Sequence, residues 1–358
     1  MPVDWKAIRA EFPALRTWTY LNTATLGLIP TRVRNAVNAH FARRDALACT
    51  DFLDWWDDMD RVRALAARLV KCAPDDIAFI PNASTGLALA ASAIEWRDGD
   101  EVLTIEDEFP NQFYFASGIA ARVNLISVPP DRIFDAISAR TRMVAISSVN
   151  YQNGRRAPYE DLGPLLRKRG IFFYLDGTQS AGVLTIDLQR VQPDVFAVHA
   201  YKWLISPPGA GFAYVDSSLR KRLRPRVIGW RSDRDWRLME NLRHEPPRFP
   251  ESAEKYEGGM LPFGALYGMG AALELVLEIG PENIERRVLS LARACGGDGT
   301  SPIVAMRLPQ GKIDSVASRL KNDRILVAAR KGNLRISPHF YNDEADIARL
   351  KEALAASE

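Results

Sequence analysis

Residues 171–187 read IFFYLDGTQSAGVLTID, and this stretch indicates the fold class. Five consecutive apolar or aromatic residues that end abruptly in Asp176 are typical of a strand buried on both faces of a parallel sheet. A second apolar run, MVAISS at 143–148, precedes it, and residues 162–169 between the two runs have helical spacing. A strand, a helix and a strand in this order predict a βαβ unit.

The same alternation extends outward along the chain. Further strands are predicted at 77–79, 101–105, 125–128, 195–198 and 211–215, and helices at 61–71 and 84–93. A Pro- and Arg-rich connector at 216–260 leads to a helix at 264–278 and then to strands at 303–308 and 334–337 with a helix at 312–321 between them. We predict an α/β fold: a large domain, 15–250, with a mainly parallel sheet and helices on both faces, and a smaller α/β domain formed by 1–14 and 251–358.

Composition narrows the function classes. The 358 residues are 47% hydrophobic and 25% charged, with a net charge of +3, which does not by itself indicate nucleic-acid binding. The three cysteines and four histidines have no metal-ligand spacing, and no apolar run is long enough for a membrane span. The start of the chain does not resemble a signal peptide. We therefore expect a cytoplasmic protein without a metal, a nucleic-acid partner or a membrane partner.

Asp176 is the first residue with a chemical implication. A carboxylate at the mouth of a buried strand is costly unless a cation meets it, and the protonated ring nitrogen of pyridoxal 5′-phosphate (PLP) is such a cation. Gln179, three residues later, has an amide suited to the ring hydroxyl or the lysine imine. The alternative is that Asp176 caps the next helix.

Lys202 supplies the second implication. Residues 195–211 read VFAVHAYKWLISPPGAG, so this lysine follows a strand and precedes a Pro-Gly turn. A lysine that is partly desolvated near cationic groups has a lowered pKa and becomes a nucleophile. An isolated lysine is usually an ordinary surface residue, but Asp176 stands about one crossover unit upstream, so adjacent strands could present both side chains at one edge.

The stretch IPNASTGLALA at 80–90 opens a helix with hydroxyl and amide groups. The free backbone N–H groups of a helix N-terminus, together with Ser84 and Thr85, form an anion site suited to a phosphate. A simple helix cap is the alternative interpretation.

Taken together, these motifs resemble the class V aminotransferases, a family of fold-type I PLP enzymes that includes cysteine desulfurases, kynureninase and isopenicillin epimerase-like proteins. The resemblance covers nearly the whole chain in the expected order. Besides the three segments above, the matching stretches are YLNTATLGLIP (20–30), EDEFPNQFY (106–114), SSVNYQNGR (147–155), YEGGMLPFGALYGMGAAL (256–273) and LRISPHFYND (334–343).

The resemblance implies a role for each matching residue. Lys202 would form a Schiff base with PLP and later move protons, and Asp176 would pair with the pyridinium. Phe109 would stack on the ring, and Gln179 and Asn150 would contact the ring hydroxyl. Ser84, Thr85, His199 and Tyr201 would hold the phosphate. Arg335 would bind the substrate carboxylate as a bidentate pair, with help from Asn22. The resemblance also implies a homodimer.

Two departures from the family pattern bear on the reaction. Met260 occupies a position where many relatives carry a threonine that reaches the neighbouring subunit's phosphate. The stretch LVAARKGNLR (326–335) has no cysteine, whereas desulfurases need a reactive one shortly before the clamp arginine. Cys295 lies some 40 residues upstream of Arg335 and is interpreted as structural.

The sequence therefore predicts a PLP-dependent aminotransferase that acts on an amino acid and a keto acid. A PLP lyase or epimerase of kynureninase or isopenicillin epimerase type is the alternative. A non-catalytic PLP-binding member is a third possibility, against which the intact set of Lys202, Asp176 and Arg335 argues.

Overall fold

A computed structural model describes residues 3–356, except Ala120, Asn241, His244 and Gln310. Its helices are α1 Trp5–Ala10, α2 Thr31–Leu47, α3 Phe52–Val70, α4 Ala83–Ser92, α5 Asn111–Tyr114, α6 Tyr159–Arg169, α7 Leu188–Val191, α8 Ser217–Arg222, α9 Phe263–Ile279, α10 Pro281–Ala294, α11 Ile313–Asn322 and α12 Glu344–Ala355. Its strands are β1 Thr19–Tyr20, β2 Ile77–Phe79, β3 Glu101–Ile105, β4 Asn124–Val128, β5 Thr141–Ser147, β6 Phe172–Asp176, β7 Val195–His199, β8 Gly211–Val215, β9 Val304–Arg307, β10 Ile325–Leu326, β11 Ala328–Arg330 and β12 Asn333–Ile336.

The central sheet has the strand order β2-β8-β7-β6-β5-β3-β4. Strands β4, β3, β5, β6 and β7 are parallel, and β8 runs antiparallel to both β7 and β2. The apolar runs of β5, β6 and β7 are buried because helices cover both faces, as the sequence predicts. The α/β fold with a mainly parallel sheet is thereby confirmed.

Helices α2, α3 and α9 pack together on one face of this sheet. Trp56 of α3 is almost completely buried, with its ring centroid 4.7 Å from that of Trp236 and 4.8 Å from that of Phe263. Trp230 also stacks edge-on against Trp56. These aromatic residues therefore serve helix packing.

The smaller unit has its own sheet, with the order β11-β12-β9 and antiparallel pairing throughout. Its apolar core is formed by residues of α10, α11, α12 and this sheet, together with Leu21 near the N-terminus. Strand β1 also joins this side of the molecule, because it pairs in parallel with β10. Helix α9, by contrast, belongs to the core beside the large sheet. The domain boundaries at 14/15 and 250/251 stay a prediction.

In its described residues, the connector predicted at 216–260 contains one short α-helix, α8, and two 3-10 helices, Trp230–Ser232 and Ala253–Tyr256. Helix α8 begins after Asp216, whose side chain accepts a hydrogen bond from the backbone N of Ser218 at 3.0 Å.

Within the described residues, no single helix has the length and apolar character to cross a membrane. The bent pair α9 and α10, at 82° to each other, passes that test when the two are combined.

Candidate active site

Three strand ends bring polar side chains to one edge of the central sheet. Ser147, at the end of β5, pairs in register with Asp176 at the end of β6, and Asp176 pairs with Ala197 on β7. Ligands bind in α/β sheets at this carboxyl edge. A cavity of about 230 Å³ lies there, lined by Asn82, Ala83, Ser84, Phe109, Asn111, Ser147, Tyr151, Asp176, Thr178, Gln179, His199, Tyr201 and Lys202. We call it the cleft.

Two larger cavities, of about 540 and 660 Å³, lie next to each other elsewhere on the surface. Their walls include Phe172 at the amino end of β6, the end of α8 and residues of the connector. They are therefore at the opposite edge of the sheet from Lys202, and size alone does not identify the active site here.

Lys202 lies on the loop between β7 and β8 and is only 8% exposed. Burial lowers the pKa of its amine to about 8, and the positive charge of Arg335 acts in the same direction, while Asp176 opposes both. The loop is braced by the segment after β1: the backbone N of Gly27 donates to the carbonyl of Tyr201 at 2.9 Å. A Cβ on Gly27 would lie 2.0 Å from the carbonyl oxygen of Lys202, so only glycine permits this approach.

Asp176 ends β6 with its carboxyl group buried in the cleft. Burial raises the pKa of this carboxyl group, whereas the backbone N–H of Thr178, which donates to Oδ1 at 2.8 Å, and the charge of Lys202 lower it. A buried carboxylate beside a lysine is suited to pairing with a cationic group of a ligand. The capping interpretation is wrong, because the next helix, α7, has Asp187 as its N-cap, and the bond from Thr178 N–H to Asp176 closes a turn.

Gln179 lines the cleft, but both ends of its amide have protein partners. Its Nε2 donates to the carbonyl of Ala24 at 3.1 Å, and its Oε1 accepts from Nε1 of Trp203 at 2.7 Å. The carbonyl of Trp203 in turn lies 2.8 Å from Nε2 of the buried His339. Gln179 therefore ties the lysine loop to two other segments, and one N–H of its amide stays available for a ring hydroxyl.

The predicted phosphate residues lie around the start of α4. Asn82 caps this helix by accepting from the backbone N of Thr85 at 3.0 Å. Ser84 lines the cleft, while Thr85 is exposed, outside the lining, and its hydroxyl donates to Asn82.

His199 and Tyr201 face the same cleft from the end of β7 and the loop after it. Their rings meet edge-on with centroids 4.2 Å apart. Burial, followed by the charge of Lys202, lowers the pKa of His199 to about 4, so the imidazole is neutral at pH 7. Its Nε2 is buried and has no hydrogen-bond partner among the described residues, which leaves it available to an anionic ligand.

Phe109 and Tyr151 form the opposite wall of the cleft. Their ring centroids are 5.2 Å apart in a T-shaped arrangement, and Nζ of Lys202 lies 5.9 Å from the Phe109 centroid. Phe109 is 39% exposed although it is a large apolar side chain. A partly exposed aromatic ring beside a buried lysine suits stacking against a flat ligand.

Arg335 on β12 is 1% exposed and contacts no carboxylate in the described part of the chain. Its Nη1 donates to the carbonyl of Tyr151 at 2.5 Å, and its Nη2 donates to Oγ1 of Thr25 and, at 3.4 Å, to Oδ1 of Asn22. Its Nε is buried without a partner. Burial lowers the pKa of this guanidinium to about 10. A buried cation held only by neutral groups is arranged to receive an anion.

Asn150 is not among the residues that line the cleft. Its Nδ2 donates to the carbonyl of Asp107 at 2.8 Å, and its Oδ1 accepts from the backbone N of Gln152 and of Asn153. The structure thus gives Asn150 a role in shaping its own turn and the loop before Phe109. Asn22, the second residue assigned to the substrate, does reach Arg335.

Several residues of the site were not singled out from the sequence. Tyr151 and Thr25 hold Arg335, and Thr178 lines the cleft next to Asp176. Glu108, beside Phe109, is 3% exposed and accepts hydrogen bonds of 2.6 Å from both the backbone N and the hydroxyl of Ser147. The sequence does carry a signal for Glu108, because this carboxylate stands next to Phe109, which is assigned to the site. No sequence pattern indicates the contacts of Thr25 and Tyr151 with Arg335.

Comparisons with known proteins find similarity over nearly the whole chain. The family model described as aminotransferase class-V matches residues 20–297. The "Uncharacterized aminotransferase YcbU" of Bacillus subtilis is 25% identical, over 97% of this chain and 96% of that protein. The isopenicillin N epimerase of Amycolatopsis lactamdurans is 27% identical, over 98% of each chain.

The fold is shared with solved structures. The cysteine desulfurase CsdA of Escherichia coli matches with a TM-score of 0.86 and 19% identity, and the alignment covers 99% of this chain and 98% of that one. At this level of identity the match establishes the fold alone. The similar proteins are named for three different reactions: amino transfer, epimerisation and cysteine desulfuration.

Proposed function

The chain belongs to the class V aminotransferase family, which is PLP-dependent, and from this premise we propose that it is an aminotransferase that carries PLP on Lys202. Its substrates would be an amino acid and a keto acid. The observation that carries the proposal is the presence of a buried lysine of lowered pKa together with a buried arginine that contacts no carboxylate in the part of the chain that the structure describes.

The residues of the cleft fit PLP in chemistry. The buried carboxylate of Asp176 suits the pyridinium nitrogen, and the exposed face of Phe109 suits the ring. The unpartnered Nε2 of His199, together with Ser84 at the start of α4, suits the phosphate. Lys202, with a pKa of about 8, holds an appreciable neutral amine fraction near neutral pH and so can form the covalent link.

When bound, PLP supplies an electron sink for the negative charge that develops at the α-carbon of an amino acid. Asp176 keeps the ring nitrogen protonated, because a buried carboxylate favours a cation next to it. Arg335 holds and orients the substrate carboxylate through the donors that the protein leaves free. The Nζ of Lys202 would take the proton from the substrate's α-carbon and pass it to the cofactor, as a base with a pKa near the working pH should.

Transamination is proposed over the other reactions of this family for physical reasons. Desulfuration needs a thiolate near the substrate, but Cys295 is buried, which raises the pKa of its thiol to about 12. Cys72 has a pKa raised to about 12 as well, chiefly by burial, and Cys49 is exposed at the end of α2. Lyase or epimerase chemistry at the same lysine is the second candidate, supported by the full-length match to an epimerase.

A screen of amino acids against the holoenzyme distinguishes these candidates. We expect one amino acid to convert the cofactor to its pyridoxamine form, with loss of the visible absorbance of lysine-bound PLP, and a keto acid to restore it. Cleavage or racemisation of an amino acid with the cofactor unchanged would instead establish the second candidate.

A further inference from the structure

A second arginine shares the sheet face of Arg335. Strands β11 and β12 form an antiparallel hairpin in which Ala328 pairs with Arg335 and Arg330 pairs with Asn333. Directly paired residues, and residues two apart along a strand, point to the same face of a sheet. Arg330 and Arg335 therefore lie on one face of the hairpin, one row apart, with Arg335 buried and Arg330 exposed near the turn.

The turn of this hairpin lies against the loop that carries Phe109 into the cleft. Nζ of Lys331 is 2.7 Å from Oδ1 of Asp107, which stands two residues before Phe109. The carbonyl of Asp107 is held in turn by the side chains of Asn150 and Gln152. Because both partners are exposed, an ion pair of this kind is weak, and it orients the turn without fixing it.

The charges on the turn are unequally compensated. Lys331 has its carboxylate, whereas Arg330 donates from Nη1 to the carbonyl of the adjacent Ala329 and contacts no carboxylate among the residues described. The positive charge of Arg330 reaches the cleft, since it lowers the pKa of both Lys202 and Arg335. Asp176 offsets the charge of Lys202, but Arg330 and Arg335 share one face of the hairpin and neither contacts a carboxylate among the described residues, which favours a ligand with two negative charges.

We infer that Arg330 forms a second carboxylate subsite, and that the substrates are dicarboxylic amino acids and keto acids. The α-carboxylate would lie on Arg335 and the side-chain carboxylate on Arg330 at the mouth of the cleft. The inference rests on the proposed aminotransferase function for the amino-group chemistry, but the preference for a dianion follows from the hairpin itself.

The chain offers a matched control for this subsite. Arg307 on β9 pairs with Asn333, so it stands in the same row and on the same face as Arg330, two strands away. It is also exposed. Arg307→Ala thus removes an equal charge from the same sheet without touching the proposed subsite.

The test is the binding of two unreactive acids to the holoenzyme, measured by isothermal titration calorimetry. Succinate and butyrate share a four-carbon skeleton but differ in the second carboxylate. We expect succinate to bind at least about 10-fold more tightly than butyrate. Arg330→Ala and Arg330→Gln should weaken succinate by roughly 10-fold and leave butyrate unchanged, with Arg330→Lys intermediate. Arg307→Ala should change neither.

Equal affinities of the wild type for the two acids would overturn the inference. A loss of succinate affinity in Arg307→Ala as large as that in Arg330→Ala would overturn it too, because the total positive charge of the sheet would then explain the preference. The outcome is separable from the proposed function. A succinate preference without transamination refutes the function alone. Transamination of monocarboxylic pairs without any succinate preference refutes the subsite alone.

Discussion

Asp176 and Lys202 line the same cleft from neighbouring strands, and each shifts the pKa of the other. The carboxylate raises the pKa of the lysine against the effect of burial, and the ammonium lowers the pKa of the buried carboxyl group. Arg335 acts on Lys202 in the opposite sense to Asp176. The reactivity of the lysine is therefore set by a balance between one carboxylate and nearby guanidinium groups.

This balance predicts two pKa shifts of opposite sign. Asp176→Asn removes the charge that raises the pKa of Lys202, so that pKa should fall below about 8. Arg335→Gln removes a charge that lowers it, so the pKa should rise above about 8. The measurement is the pH dependence of PLP capture by the apoenzyme, followed by absorbance, with each variant compared with the wild type. Shifts of the same sign in both variants would contradict the proposed balance.

The covalent link to the cofactor should be specific to Lys202. Borohydride reduction of the holoenzyme followed by peptide mass spectrometry should place a phosphopyridoxyl group on the peptide containing Lys202. Lys255 is an internal control, because it is also buried and its pKa is also lowered, yet its Nζ donates to the carbonyl of Arg220 away from the cleft. Labelling of Lys255 to the same extent would show that low pKa and burial alone decide the site.

Glu108 should make stability pH-dependent. Burial raises the pKa of its carboxyl group from 4.5 to about 7. A raised pKa in the folded state gives a stability contribution that is fully present below about 4.5 and is lost as the pH rises through about 7. Glu108→Gln keeps an acceptor for Ser147 but cannot ionise, so it should remove roughly 3 kcal/mol of this pH dependence. The measurement is urea unfolding of both proteins at several pH values between about 4.5 and about 8. If the free energy of unfolding changed with pH by the same amount in both proteins, the prediction would be wrong.

The sequence predicts those helices and strands of the fold that have a clear pattern of apolar residues along the chain. Strands β2 and β8 have the bounds predicted from their apolar runs, because a strand buried on both faces leaves an unbroken run. Strand β3 also has its predicted bounds, although Glu101 and Thr104 interrupt its apolar residues. Helix α2 was not predicted, because among its described side chains only Val33 and His40 are buried and its apolar pattern is weak. Helices α8, α10 and α12 were likewise not predicted.

The residues of the site likewise divide into those that a local sequence pattern indicates and those that it does not. Asp176 and Lys202 could be predicted because each follows a strand, and strand ends meet at one edge of a parallel sheet. The contacts of Arg335 with Thr25 and Tyr151 join residues far apart in sequence, and no local pattern indicates them. Asn150 matched a family motif, yet its amide is used within its own turn, which only the folded backbone reveals.

The chain should form a homodimer in solution. Several large apolar side chains are exposed on α2, on the first turn of α3 and on the segment before α2, among them Leu26, Ile29, Phe41, Leu47 and Leu53. Exposed apolar surface of this kind marks an interface. Phe41→Asp should therefore shift the protein toward monomer in sedimentation velocity experiments at micromolar concentration. Phe134→Asp, at an exposed phenylalanine between β4 and β5, serves as the control, and a monomeric wild type would refute the prediction.

Arg335→Lys should separate carboxylate binding from the chemistry at the lysine. An ammonium keeps the positive charge but cannot reproduce the planar fork of a guanidinium, so binding of carboxylate substrates should weaken roughly 10- to 100-fold. The rate at saturating substrate should fall much less, because the variant keeps Lys202 and Asp176. The measurement is the single-turnover conversion of the cofactor by an amino acid over a range of concentrations. Arg307→Lys is the control, because it makes the same substitution at an arginine outside the cleft. An unchanged substrate dependence in Arg335→Lys would show that this buried arginine serves packing alone, and that the carboxylate is held elsewhere in the cleft.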